Sequence, residues 1–434
     1  MRIALPDDLN DLSTYIRPML DLVGADRWFR RAEHFSSEVD RSRYRWKIVS
    51  DYHWLEMGIA FQAEVLEKEG RLSAQYADAS ILAALNFAGT CVEIHRQLTP
   101  AGRLALEGRL RDAIKSDVGF APLYLELDLA QRLMDAGYDV DFPDLEGQAR
   151  YDLLFHSGAF SGEVECKSLS ADAGRQIHRR DFYRVMAALE PALDARLGSG
   201  CREIVLVTLD ARLSPNDASR TALLKSVRAV LAENGPASLK RPGFKIERLD
   251  YQEHLGDTPM SDPKRFHEAC QTAFGANIHA AGAMGDDGGV VLAMRSHRQD
   301  DASKPMLEAM RQAARQFSGD RPWFIALQEH GIEAADLMLP HLRRQAGLLA
   351  YHLFHHYGAT HVNGVYVSGF GAVVMRDGRI GTPAFTVPNP APRFQATPED
   401  AAPFLASVSD QAYADAIGAP LPAPDISNIP IAPS

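Results

Sequence analysis

Tyr151-Asp152-Leu153-Leu154-Phe155-His156, Ser157-Gly158-Ala159-Phe160-Ser161-Gly162 and Glu163-Val164-Glu165-Cys166-Lys167 run on without a break. Two strand-like runs flank a turn rich in Gly and Ser, so the stretch predicts a β-hairpin. Side chains alternate along a strand, which puts Glu163, Glu165 and Lys167 on one face and Val164 and Cys166 on the other. With a loop at 157–160, residue 156 pairs with 161 and the register continues to 152 with 165. Asp152 then opposes Glu165 with Cβ atoms roughly 5 Å apart.

Two carboxylates held that close repel. Either one takes a proton or a cation sits between them. Oxygen donors suit Mg²⁺ or Mn²⁺, and the Cys166 carbonyl could supply a third oxygen. A metal held in this way can polarise a phosphoryl oxygen and acidify a bound water. Lys167, on the same face, can orient that water or balance charge in the transition state. The plain alternative is an edge hairpin with solvated charges, because a Glu-x-Lys triplet alone carries no information. On this face Glu163 either assists or is simply solvated.

Working outward, Pro122 opens a helix and Gly137 closes it, with Leu123, Leu127, Ala130 and Met134 as its apolar stripe. Strands are expected at Tyr138–Phe142, Tyr151–Phe155, Glu163–Ser168, Glu203–Leu209 and Phe244–Leu249. Helices are expected from about Ile177, kinked near Pro191, and from an N-cap at Ser214-Pro215 to about Ala232. Residues 118–255 therefore read as an α/β core. Residues 1–117 show helical spacing throughout. Residues 256–395 read as a C-terminal α/β region. It has strands at Gly288–Met294, Trp323–Leu327, Val365–Val374 and Ala384–Val387, and helices at Pro305–Phe317 and Ala334–Tyr357. A hairpin turn is expected at Arg376-Asp377-Gly378. Residues 396–434 form a largely irregular tail, rich in proline and small residues from Ala416.

Helix, strand, Asp-bearing strand, Glu-x-Lys strand, helix: this order resembles the PD-(D/E)xK nuclease superfamily over about residues 120–250. The resemblance implies a restriction-endonuclease-like mixed sheet flanked by helices. It also implies Mg²⁺-dependent hydrolysis of phosphodiesters, with DNA as substrate and RNA not excluded. The roles would fall on Glu126, Asp152, Glu165 and Lys167, with metal ligands from Asp152, Glu165, Cys166 and Glu126. Glu126 stands either at the metal or at a buried polar contact. Pro143-Asp144 matches the literal motif but precedes the strand, so Asp152 is the preferred ligand.

Gly174 to Arg184 holds four arginines and one aspartate. Arg175, Gln176, Arg179, Arg180 and Arg184 are the candidate nucleic-acid contacts, since arginine binds phosphate bidentately. The Gln-x-x-x-Tyr variant of the superfamily is not matched, because Arg180 follows Gln176 at that spacing.

The chain of 434 residues carries a formal net charge of −11, so a nucleic-acid binder of this composition needs a local basic surface. Its four cysteines, Cys91, Cys166, Cys201 and Cys270, show neither a CxxC pair nor a zinc spacing. No apolar run is long enough for a membrane span, and a cytoplasmic location is expected. His352, His355, His356 and His361 lack the acidic partner of a zinc hydrolase and read as a surface cluster. Gly282 to Gly289 has no G-K-[ST] and is no P-loop. The flanking regions are expected to select a substrate or partner, or to join protomers. The competing reading is a non-catalytic nuclease-fold scaffold in a nucleic-acid or defence complex.

Overall fold

The computed structural model describes residues 1–405 except 7, 72–78, 214–216, 285–288, 331–339, 372, 375–379 and 398. The Ser214-Pro215 cap, the hairpin turn at Arg376-Asp377-Gly378, the first part of the Ala334–Tyr357 helix, part of the glycine-rich run and the end of the tail lie outside the described residues.

Thirteen strands occur among the described residues. They are β1 (Asp139–Asp141), β2 (Leu153–Ser157), β3 (Phe160–Ser170), β4 (Arg202–Leu209), β5 (Ser238–Arg241), β6 (Phe244–Asp250), β7 (His279–Met284), β8 (Gly289–Ser296), β9 (Trp323–His330), β10 (Val362–Gly369), β11 (Val373–Val374), β12 (Ile380–Gly381) and β13 (Ala384–Pro388). The chain divides into two compact units: Met1–Ala32, Tyr52–Ser170 and Met306–Ser434 in one, Glu33–Asp51 and Ala171–Pro305 in the other.

The first unit is built on a mixed six-stranded sheet in the order β1-β2-β3-β9-β10-β13. Strands β3, β9 and β10 run parallel, and the remaining pairs are antiparallel. The parallel strands at the centre are buried on both sides, which is why Trp323–Leu327 reads as an unbroken apolar run. Leu153, Phe155, Val164, Phe324 and Ala326 face one core, shared with the N-terminal helices and the Ala121–Asp135 helix. Trp323, Ile325, Leu327, Val365 and Val367 face the other, beneath the Ser303–Ala313 and Pro340–His355 helices. Up to residue 138 the described regular structure is helical, as the spacing of apolar residues predicts.

The second unit carries a five-stranded sheet, β5-β6-β4-β8-β7, in which only β4 and β8 pair in parallel. The Arg179–Leu197 helix, with Pro191 inside it, and the Asp217–Leu231 helix supply one face. The Tyr251–Leu255 and Pro263–Phe274 helices supply the other.

The α/β class, the mixed sheet and the helical N-terminal region agree with the sequence reading. The boundaries at 117/118 and 255/256 do not match the units. Strands β9, β10 and β13 complete the sheet of Asp152 and Glu165, while residues 171–305 fold on a sheet of their own. A three-stranded β1-β2-β3 ribbon could not bury both faces alone. The apolar runs that finish the job come more than 150 residues later in the chain.

Candidate active site

The hairpin forms in the expected register. His156 pairs with Ser161 and Leu153 with Val164. The connection is the two-residue turn Gly158-Ala159, tighter than the expected loop, closed by Ser157 opposite Phe160. Gly158 has φ 59°, and no residue other than glycine has positive φ among the described ones. A positive φ at the first turn position alone is what a type II′ hairpin turn requires.

Past Leu153 the register breaks: the Asp152 N–H bonds the Val164 carbonyl at 3.2 Å, and Asp152 does not pair with Glu165 as expected. The Asp152 carboxylate then accepts the Cys166 N–H at 2.7 Å. Asp152 thus caps the backbone of β3 between Glu165 and Lys167. Glu165 is 2% exposed. Its Oε1 accepts from the Lys167 ammonium, and its Oε2 is buried without a hydrogen bond. A buried carboxylate oxygen left in that state is costly unless a proton or cation joins it.

Glu126, on the Ala121–Asp135 helix, accepts from Arg109 at 2.8 Å. The same guanidinium is ion-paired to Asp144. Burial pushes the Glu126 carboxyl above the usual range, and the Asp152 charge pushes it further, against the pull of Arg109. Burial does the same to Glu165, followed by Asp152, with Lys167 and the nearby Gln316 amide opposing. The Asp152 carboxyl is raised by burial and held back by the Cys166 N–H, Arg109 and Lys167. The Cys166 thiol is raised by burial and by Asp152, Glu126 and Glu165. Each acid therefore feels its neighbours' charge in a place where water screens it poorly.

Glu126, Asp152, Glu165, Cys166 and Lys167 are brought into one electrostatic cluster. The Arg109 and Asp144 side chains belong to it too, and the sequence reading did not assign them. Pro143-Asp144 gave a signal for the second, and nothing in the helical region distinguished Arg109 from its exposed neighbours. Glu163 is neither solvated nor a member. It is 0% exposed, ion-paired to Arg321 Nε at 3.2 Å, and accepts the Ser318 N–H at 2.9 Å.

Arg175, Gln176, Arg179, Arg180 and Arg184 lie in the second unit, whereas the carboxylates lie in the first. There Arg179 donates to Asp51 at 3.1 Å and Arg184 to Asp181 at 3.2 Å. The Gln176 N–H bonds Asp300, and its side-chain amide donates to the Gln299 carbonyl. Most of these groups are occupied in holding their own unit together. The histidines do not converge either. His352 packs against His356 and His355 against Tyr351, both with tilted rings, and His361 stacks on Phe317.

Among the described residues, no group of three or more His, Cys, Asp or Glu side chains is already gathered as a metal cage. The donor chemistry at Asp152, Glu165, Glu126 and the Cys166 carbonyl is nevertheless all oxygen, and the buried Glu165 Oε2 lacks a partner. That set suits a hard divalent cation that keeps most of its water. No described helix is long and apolar enough to cross a membrane. No protein-family model, curated protein or solved structure matches the chain.

Proposed function

We propose that the first unit is a metal-dependent phosphodiesterase with a restriction-endonuclease-like core, acting on DNA. The observation that carries this reading is the local arrangement on β3. Glu165 and Lys167 stand together, Asp152 reaches the amide between them, and one buried carboxylate oxygen is left unpartnered. Asp152 and Glu165, with the Cys166 carbonyl, would hold Mg²⁺ or Mn²⁺, and Glu126 would add a further oxygen. When bound, the cation supplies an acidified water and charge stabilisation at the phosphoryl group. Lys167, tethered to Glu165 Oε1, positions the nucleophilic water and donates to the developing negative charge. Glu165 keeps that ammonium aimed.

The test is cleavage of supercoiled plasmid, linear duplex, single-stranded DNA and RNA with Mg²⁺, Mn²⁺ or EDTA. Wild type should cut DNA only with metal. Lys167→Ala and Asp152→Ala should each lose about 100-fold or more, the usual cost of a missing electrostatic group. Equal cleavage by all three proteins would overturn the site.

One observation favours a second reading, a non-catalytic scaffold. Arg109 and Lys167 already supply internal counter-charge to Glu126 and Glu165. Binding of DNA without cleavage under any metal would select it.

A further inference from the structure

Between Asp336 and Asp377 the chain has no Asp or Glu, although 57 acidic residues are spread over its 434 positions. This acid-free stretch contains the Pro340–His355 helix of the first unit. Ala346, Ala350, Leu353 and Phe354 pack one side of that helix against the sheet. The opposite side exposes Leu348 at 52% and Tyr351 at 55%, with Arg344 and His355 in line with them. Just beyond the helix end, Tyr357 is 47% exposed.

The rings here fall into two groups, Tyr351 with His355, and His352 with His356 and Tyr357. Tyr351 and His355 have centroids 4.1 Å apart, and His352 and His356 4.3 Å apart. His352 meets Tyr357 edge-on at 5.3 Å, and the Arg311 guanidinium lies 4.4 Å above the Tyr357 ring. Arg311 is steadied by Glu308 at 3.1 Å. Large exposed aromatic area is costly in water unless something covers it. Flat rings, the Arg311 guanidinium plane and a helix that carries no carboxylate of its own suit stacked bases and phosphates, with the neighbouring Glu308 carboxylate engaged by Arg311. Among the described residues of this helix, Leu348 is the one large aliphatic side chain that is exposed.

We propose that this helix face, centred on Tyr351 and Tyr357, is the binding surface for a single-stranded stretch of nucleic acid. The proposal rests on the nuclease reading for its biological sense, but its test does not depend on cleavage.

Binding of a fluorescein-labelled single-stranded oligodeoxynucleotide to the full chain is measured by anisotropy in EDTA. The Tyr351→Ala/Tyr357→Ala variant should bind about ten-fold more weakly, the loss expected for a stacking contact. The Tyr351→Phe/Tyr357→Phe variant should bind like wild type, because the ring faces remain. No binding by wild type, or unchanged binding by the alanine variant, would overturn the surface. So would unchanged binding together with an altered oligomeric state of the alanine variant on sedimentation, which would mark the face as a protein contact. If wild type never cleaves yet the alanine variant still loses binding, the nuclease reading fails and the surface stands.

Discussion

At the scale of single residues, Glu165 concentrates the energetics of the site. Its carboxyl titrates above the ordinary glutamate value because burial and Asp152 disfavour the charge more than Lys167 favours it. The folded protein therefore holds the proton more tightly than the unfolded chain does. Ionisation then costs stability, and the cost grows as pH rises from the ordinary glutamate value through the raised one. In EDTA, wild type is expected to lose more stability than Glu165→Gln between mildly acid and mildly alkaline buffer. The difference should be about 1–2 kcal/mol, read as a few degrees in Tm. Mn²⁺ should raise the Tm of wild type more than that of the variant, because a bound cation stabilises the folded state by mass action. Parallel pH profiles for the two proteins would show that Glu165 is not the titrating group.

At the scale of elements, the hairpin works because β2 and β3 meet at a place with no room to spare. A Cβ on Gly162 would lie 2.6 Å from the Phe155 ring and 3.2 Å from Phe324. The Phe155 ring cannot yield easily, since Tyr138, Phe160, Phe324 and Phe404 pack around it. Gly162→Ala is expected to cost about 1–3 kcal/mol, the range for overpacking a core. A fall in the denaturant midpoint with unchanged slope would show it. An unchanged midpoint would mean the strands part without cost, and the register that aligns Asp152 with β3 would then be loosely held.

At the scale of the whole molecule, the sheet carrying Asp152 and Glu165 is discontinuous in sequence. Residues Ala171–Pro305 lie in the chain between β3 and β9, yet β9 is the direct parallel neighbour of β3. A chain ended after Leu255 would keep every candidate residue of the site and lose β9, β10 and β13. Ile325 and Leu327, which stand beside Glu165 and Lys167, would be gone. Such a fragment is expected to show no cooperative thermal transition and no near-ultraviolet circular dichroism. A fragment that melts cooperatively would contradict the observed division into units.

The sequence by itself determined the local geometry of this protein. Alternation and turn chemistry are short-range, so the hairpin, its register as far as Leu153, the Ala121–Asp135 helix and the candidates Asp152, Glu165 and Lys167 were all legible within a few dozen residues. The acid-free run after Asp336 is equally plain in the sequence, although its exposed ring face is not. Three matters were decided only by tertiary structure. Glu163 shares a face with Glu165 by alternation, yet only the approach of Arg321 from a distant loop shows that it is buried and paired. Arg109 looks like any helix-surface cation until folding sets it between Glu126 and Asp144. The units themselves follow contacts between strands far apart in the chain, because a β-sheet chooses its neighbours by burial and hydrogen bonding, and neither is encoded by proximity in sequence.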